Sequence, residues 1–141
     1  VIVRAGAIAL AALIVAASAR AQPAGADGTY RGRLRCAAIP TLTVAPVDVE
    51  FTLTIHGATA TYQRPVLSYD GRQTVGQESG TGTVTADGTV TLQGGISGSL
   101  GVFVAHYSGR LSGAHVDLSG MENFVSPRQY ERSCTSSLDR S

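Results

Sequence analysis

The chain contains no lysine and no tryptophan, and Asn123 is its single asparagine. All eleven basic residues are arginine. Without lysine, Schiff-base chemistry and the phosphate-gripping lysine of a P-loop are excluded. Only 15% of residues are charged and the formal net charge is +1, so no bulk attraction to nucleic acid is expected. The two cysteines have no CxxC spacing, which removes thiol–disulfide exchange chemistry. A nucleophile elbow, G-x-S-x-G, is also missing: Gly95-Ile96-Ser97-Gly98-Ser99 closes on serine. His106 lies six residues before Ser112, the residue that faces His115. At ~3.3 Å per residue, those two histidines stand too far apart to share an ion, and His56 sits in a turn. Nothing in the sequence brings two of Glu78, Glu122 and Glu131 to the ~5–10 Å separation that glycoside hydrolysis needs. No catalytic residue, metal ligand or cofactor is assigned on these grounds, and an enzyme is not expected.

What is present begins with an address. Arg4 precedes an apolar run over 5–17, and Ala19 and Ala21 place small residues before a cleavage point. This is the pattern of a secretory signal peptide over 1–21. The run is too short to span a ~30 Å hydrocarbon core. Cleavage after Ala21 leaves nine Arg against ten acidic residues, a net charge of −1, and no second apolar stretch that could span a membrane as a helix. The expected location is therefore periplasmic or extracellular. An even cysteine count in such a compartment points to a Cys36–Cys134 disulfide.

The remainder reads as a short linker over 22–27 and one all-β domain over 28–141. Residues 47–55 alternate strictly, apolar at odd positions and polar at even ones, the period of a half-buried strand. A two-residue turn at His56-Gly57 would set Leu53 against Ala60 and Phe51 against Tyr62. Pro65 should end that ladder or mark an edge. A second hairpin turns through Ala86-Asp87-Gly88, with Val84 facing Val90. A third turns at Gly113-Ala114, with Leu111 facing Val116 and Arg110 facing Asp117. The first strand covers 29–36 and the last 129–138. The segments 37–46 and 67–77 read as long connections, the second alternatively as a poorly formed strand. About eight locally connected strands, with the two cysteines on the first and last, predict a small up-and-down antiparallel barrel. A two-sheet sandwich is the alternative.

The opening Gly28-Thr29-Tyr30-Arg31-Gly32-Arg33-Leu34-Arg35-Cys36, the closing Arg132-Ser133-Cys134-Thr135 and the leader resemble a group of small exported bacterial β-rich proteins of unknown function. The resemblance implies no activity. Avidin-like barrels share the Gly-Thr-aromatic opening and the meander. They line their biotin site with tryptophans, which this chain lacks, so biotin binding is not carried over.

Two sets of residues remain as candidate contacts. Alternation puts Arg31, Arg33 and Arg35 on one face of the first strand, a basic stripe that could meet an anionic surface. Arg64 falls on the same face as Phe51, Leu53 and Tyr62, and an inward Arg is costly unless paired or near an opening. With Tyr62, Tyr30 and Tyr130 it would suit a small anionic or aromatic ligand at a barrel mouth. The expected function is a non-enzymatic exported binding protein for such a ligand. The alternative is a protein-interaction module, such as a protease inhibitor or envelope-associated factor, presenting the connections 37–46 or 67–77 to an envelope protein.

Overall fold

In a computed structural model, which describes residues 23, 25–98 and 101–141, alternation is converted into eight antiparallel strands. The leader expected over 1–21 lies outside the described residues. The strands are β1 (Gly28–Cys36), β2 (Val47–His56), β3 (Thr59–Leu67), β4 (Thr74–Val84), β5 (Thr89–Gly98), β6 (Gly101–Ser112), β7 (His115–Ser126) and β8 (Tyr130–Arg140). They pair in sequence order and β1 pairs with β8, so the sheet is a closed up-and-down barrel and not a sandwich. Closure leaves no free outer edge for another chain to pair with along the β1–β8 junction. Among the described residues no helix is long and apolar enough to cross a membrane.

The lumen is filled by one residue in two from every strand. Tyr30, Leu34, Phe51, Leu53, Ile55, Val90, Leu92, Val116 and Leu138 are almost wholly buried there. Burying each such side chain is worth roughly 1.5–3 kcal/mol. Phe51 stacks on Tyr62 with ring centroids 5.0 Å apart, and both meet Tyr107 edge-on.

The second and third hairpins form in the expected register. Val84 faces Val90 around the 86–88 turn, and Leu111 faces Val116 around Gly113-Ala114. The first hairpin is shifted. Its turn is Gly57-Ala58, so Leu53 faces Tyr62, Ile55 faces Ala60 and Thr54 faces Thr61. The cause is backbone geometry: the first residue of a two-residue hairpin turn needs positive φ, and Gly57 supplies +61° there. A shift of two residues keeps every side chain on its expected face.

Pro65 marks the end of the β2–β3 ladder, as expected, without ending its strand. It lies within β3 opposite Gln77 on β4, and the strand continues to Leu67. It sits just beyond the last β2–β3 pair, Thr52 with Gln63, where β3 has a ladder on one side only. A missing N–H costs nothing toward a neighbour that is not paired. The β2–β3 seam is thus half-zipped: 47–51 pair with β1 and 64–67 with β4, but not with each other.

The connection between β1 and β2 is tied down by a 3-10 turn at Pro40–Leu42 and a bridge between Ile39 and Val44. The expected 67–77 connection shortens to 68–73, because Leu67 and Thr74–Gln77 join strands. Ala45 N–H donates to Tyr69 O at 2.7 Å, which joins these two connections over one end of the barrel.

Candidate functional site

Two Arg–Glu pairs face each other inside the barrel. Counting back from Val84 in steps of two places Glu78 inward, and counting on from Val116 does the same for Glu122. In register, Arg64 stands opposite Glu78 and Arg132 opposite Glu122. Arg64 Nε donates to Glu78 Oε2 at 2.6 Å, and Arg132 Nε donates to Glu122 Oε2 at 2.6 Å. Arg64 Nη2 reaches across the lumen to Glu122 and joins the two pairs. Tyr62 Oη donates to Glu78 Oε1 at 2.6 Å, and Tyr107 Oη lies 3.4 Å from Glu78 and 3.3 Å from Glu122. Arg64, Glu78 and Glu122 are at most 1% exposed.

Electrostatics follow from this closure. Burial pushes the Glu78 carboxyl above the usual range, partly offset by Arg64 and by the Tyr62 hydroxyl. Burial also disfavours the Arg64 cation, but Glu122 and Glu78 outweigh it and hold the guanidinium charged. Burial and the adjacent carboxylates push both Tyr62 and Tyr107 up, so they act as neutral donors. Cys36, Glu122 and Cys134 lie close together, with Glu122 Oε1 3.6 Å from Cys36 Sγ. The two sulfurs are joined as a disulfide, so this group offers no thiolate pair to a metal.

The expected mouth site is divided by this arrangement. Tyr62 and Arg64 meet through Glu78, well inside. Tyr30 lies toward the opposite end, donating to Ala26 O at 2.8 Å with Arg140 over its ring. Tyr130 stacks on Phe124 with centroids 4.1 Å apart and is pushed up to about 12 by burial. The cavity beside Tyr130 and Arg132 at the mouth has a volume of only about 10 Å³. That is space for no more than one water. Arg64 does not snorkel to water at a strand end. It is buried and neutralised.

It does touch one opening. The half-zipped β2–β3 seam frames a side pocket of about 290 Å³, lined by Arg31, Glu50, Thr52, Gln63, Arg64, Pro65 and Gln77. Arg64 Nη1 donates to Pro65 O at 3.1 Å on this side. Gln77 Nε2 donates to Gln63 Oε1 at 2.9 Å across the pocket wall.

The basic stripe lies where alternation places it, but it is not bare. Arg31 pairs with Glu50 at 3.2 Å, while Arg33 and Arg35 reach Asp48 at 2.8 and 3.5 Å. On its other side a groove of about 480 Å³ separates the stripe from Asp117 and Asp139. The expected Arg110–Asp117 pair is not made, although the two are neighbours in register. Arg110 leans to the Asp87 turn, donating to Asp87 O at 3.2 Å, and Asp117 is taken by His115.

Ser137 Oγ is 3.1 Å from His115 Nε2, and His115 Nδ1 is 2.7 Å from Asp139, the spacing of a Ser–His–Asp relay. It is not wired as one. Ser137 donates its proton to Asp117 at 3.0 Å, and Asp117 also lies 3.0 Å from Nε2. Carboxylates at both nitrogens favour the imidazolium, which has no lone pair to accept a serine proton. Hydrogen bonds to Asp139 and Asp117 accordingly raise His115 above its ordinary value. A raised folded-state pKa gives stability that is fully present below ~6.5 and is lost as pH rises through the folded value. The expected result is a melting temperature that falls from pH 6 to pH 9 and falls less in His115→Gln. A pH profile unchanged by that substitution would show that the imidazolium contributes nothing.

A second outer groove, of about 740 Å³, crosses β2 to β5. Its walls are two cross-strand rows: Thr54, Thr61, Thr81, Gln93, and Thr52, Gln63, Ser79, Gly95. Between the rows Gly80 and Gly94 back directly onto Tyr62 inside the barrel. A Cβ on Gly80 would lie 2.3 Å from the Tyr62 ring, and one on Gly94 would lie 2.2 Å from its hydroxyl. Only glycine admits that approach.

Sequence reasoning missed Glu78, Glu122 and Arg132 as a group with Arg64. The available signal was parity, the same alternation that placed Arg64 inward. No family model matches the chain, and no curated protein matches it. Among solved structures it is similar to Rv2717c from M. tuberculosis, at 15% identity and a TM-score of 0.43, covering 81% of this chain and 91% of that one.

Proposed function

We propose that the protein is a non-enzymatic binding protein of an exported compartment, holding a small anionic ligand in the side pocket of the β2–β3 seam. The convergence of the Arg31 guanidinium with the amides of Gln63 and Gln77 in one pocket carries this reading. At about 290 Å³ the pocket is at the small end of ligand sites and suits a phosphate or a short carboxylate. Arg31 would be the main anion contact. Its bond to Glu50 is exposed, so displacing Glu50 costs about 0–1 kcal/mol. Arg64 lies beneath the floor, its buried guanidinium held by two carboxylates, and it fixes the shape of the pocket base without reaching the ligand. An aromatic ligand has less support, because the interior rings are packed on one another. The export part rests on the leader pattern, and the Cys36–Cys134 link is consistent with an oxidising compartment.

The test is a melting-temperature titration with inorganic phosphate, succinate and citrate. The wild type should rise with at least one of them, and Arg31→Gln should not. No rise with any at millimolar concentration would overturn the reading.

The interaction-module reading is favoured by a separate observation. Val102, Val104, Met121 and Val125 are exposed on the outside of β6 and β7, in a protein whose other large apolar side chains among the described residues are covered.

A further inference from the structure

The outer groove of β2 to β5 adjoins the anion pocket and shares Thr52 and Gln63 with it, but the rest of its lining has a chemistry that the anion site does not use. Its side chains are hydroxyls and amides, and none is charged. Thr54, Thr61, Thr81 and Gln93 stand side by side on four successive strands, all pointing outward. Gln63 and Ser79 begin a parallel row two residues further along. Neighbouring strands lie ~4.8 Å apart, and residues two apart on a strand lie ~7 Å apart. The groove therefore offers one hydrogen-bonding group per ~4.8 Å along its length, close to the length of one pyranose ring, in two rows about a ring's width apart.

We infer that this groove binds a neutral, extended β-linked oligosaccharide, about one sugar per strand crossed. Three physical points select that ligand. A lining that both donates and accepts, without net charge, complements sugar hydroxyls and gives an anion no counter-charge. Threonine loses little side-chain freedom on binding compared with Lys, Arg or Gln. The backbone at Gly80, Gly94 and Gly95 lines the groove beside the rows, so a sugar chain can lie close to the wall there. A coiled α-linked glucan does not match a straight row, and a polyuronate brings charges that the groove cannot answer.

The experiment is isothermal titration of the intact protein with cellohexaose and chitohexaose, with maltohexaose and hexagalacturonate as the contrasting probes. The comparison variant is Thr61→Val with Thr81→Val, which keeps shape and strand preference but removes two central hydroxyls. Binding of either β-linked hexaose, weakened at least tenfold in the double variant, would support the proposal. No binding of the β-linked hexaoses would overturn it. So would binding that the valines leave unchanged, or a preference for maltohexaose or hexagalacturonate. Arg31→Gln should leave hexaose binding intact, so loss of the anion site and loss of this one are read separately.

Discussion

Replacing Arg64 by methionine is expected to remove a large share of the protein's stability and to lower its urea midpoint sharply. The substitution keeps the volume but leaves Glu78 facing Glu122 without the guanidinium between them. Breaking a buried ion pair from one side costs about 3–5 kcal/mol, against a total stability of about 5–15 kcal/mol for a domain. Glu78→Gln should be milder, because Glu122 still neutralises Arg64 and Tyr62 can still donate to the amide oxygen. Combining Arg64→Met with Glu78→Met should recover most of the loss, since the Glu122–Arg132 pair survives on its own. Urea unfolding followed by far-ultraviolet circular dichroism gives all three free energies. If Arg64→Met alone costs under ~1 kcal/mol, the network is not the closed ionic unit described above, by the same measure of a broken buried pair.

The second large effect is expected from the disulfide. Cys36 and Cys134 are direct partners in the β1–β8 ladder, and 98 positions separate them in sequence. Closing a loop of that length removes denatured-state entropy worth about 4–5 kcal/mol. The variant with both cysteines changed to alanine should therefore unfold at a much lower urea concentration, and dithiothreitol should do the same to the wild type. Alanine is the informative choice, because a serine hydroxyl beside Glu122 would find a new hydrogen bond. A midpoint that moves by less than a quarter of the value expected would mean that the ladder pairs of β1 and β8 alone hold the closure.

Part of this architecture is legible in the amino-acid sequence alone. Strand number, side-chain parity and the cysteine link are local or compositional, and alternation from Tyr30 to Cys36 and from Val47 to Ile55 is enough to see them. Turn position is legible where the side-chain pattern and the glycine agree, as at Gly88 and Gly113. At Gly57 the cross-strand pattern points to a His56-Gly57 turn, but the backbone's demand for positive φ at the first turn position moves the turn to Gly57-Ala58. The Arg31–Arg33–Arg35 stripe was visible, but its counter-ions Asp48 and Glu50 required the β1–β2 register. Glu78 and Glu122 are parity-legible one at a time. Their meeting at Arg64 is not, because β4 and β7 come together only across the lumen of a closed sheet. The outer threonine rows depend on register between four strands and could not be assembled from any one of them.

The half-zipped seam also bears on mechanics. A barrel resists opening as a hoop does, and a hoop fails at its weakest joint. The joint between first and last strands is the usual suspect, since the chain must meet itself there after everything else is in place. Here that joint carries seven ladder pairs and a covalent staple, while β2 and β3 share five pairs on a continuous hairpin. Transient breathing of the wall is thus directed to the flank of Arg64 and away from the chain's own closure. The first parting of the wall would then expose the buried Arg64–Glu78 pair, while the covalent joint between the first and last strands holds.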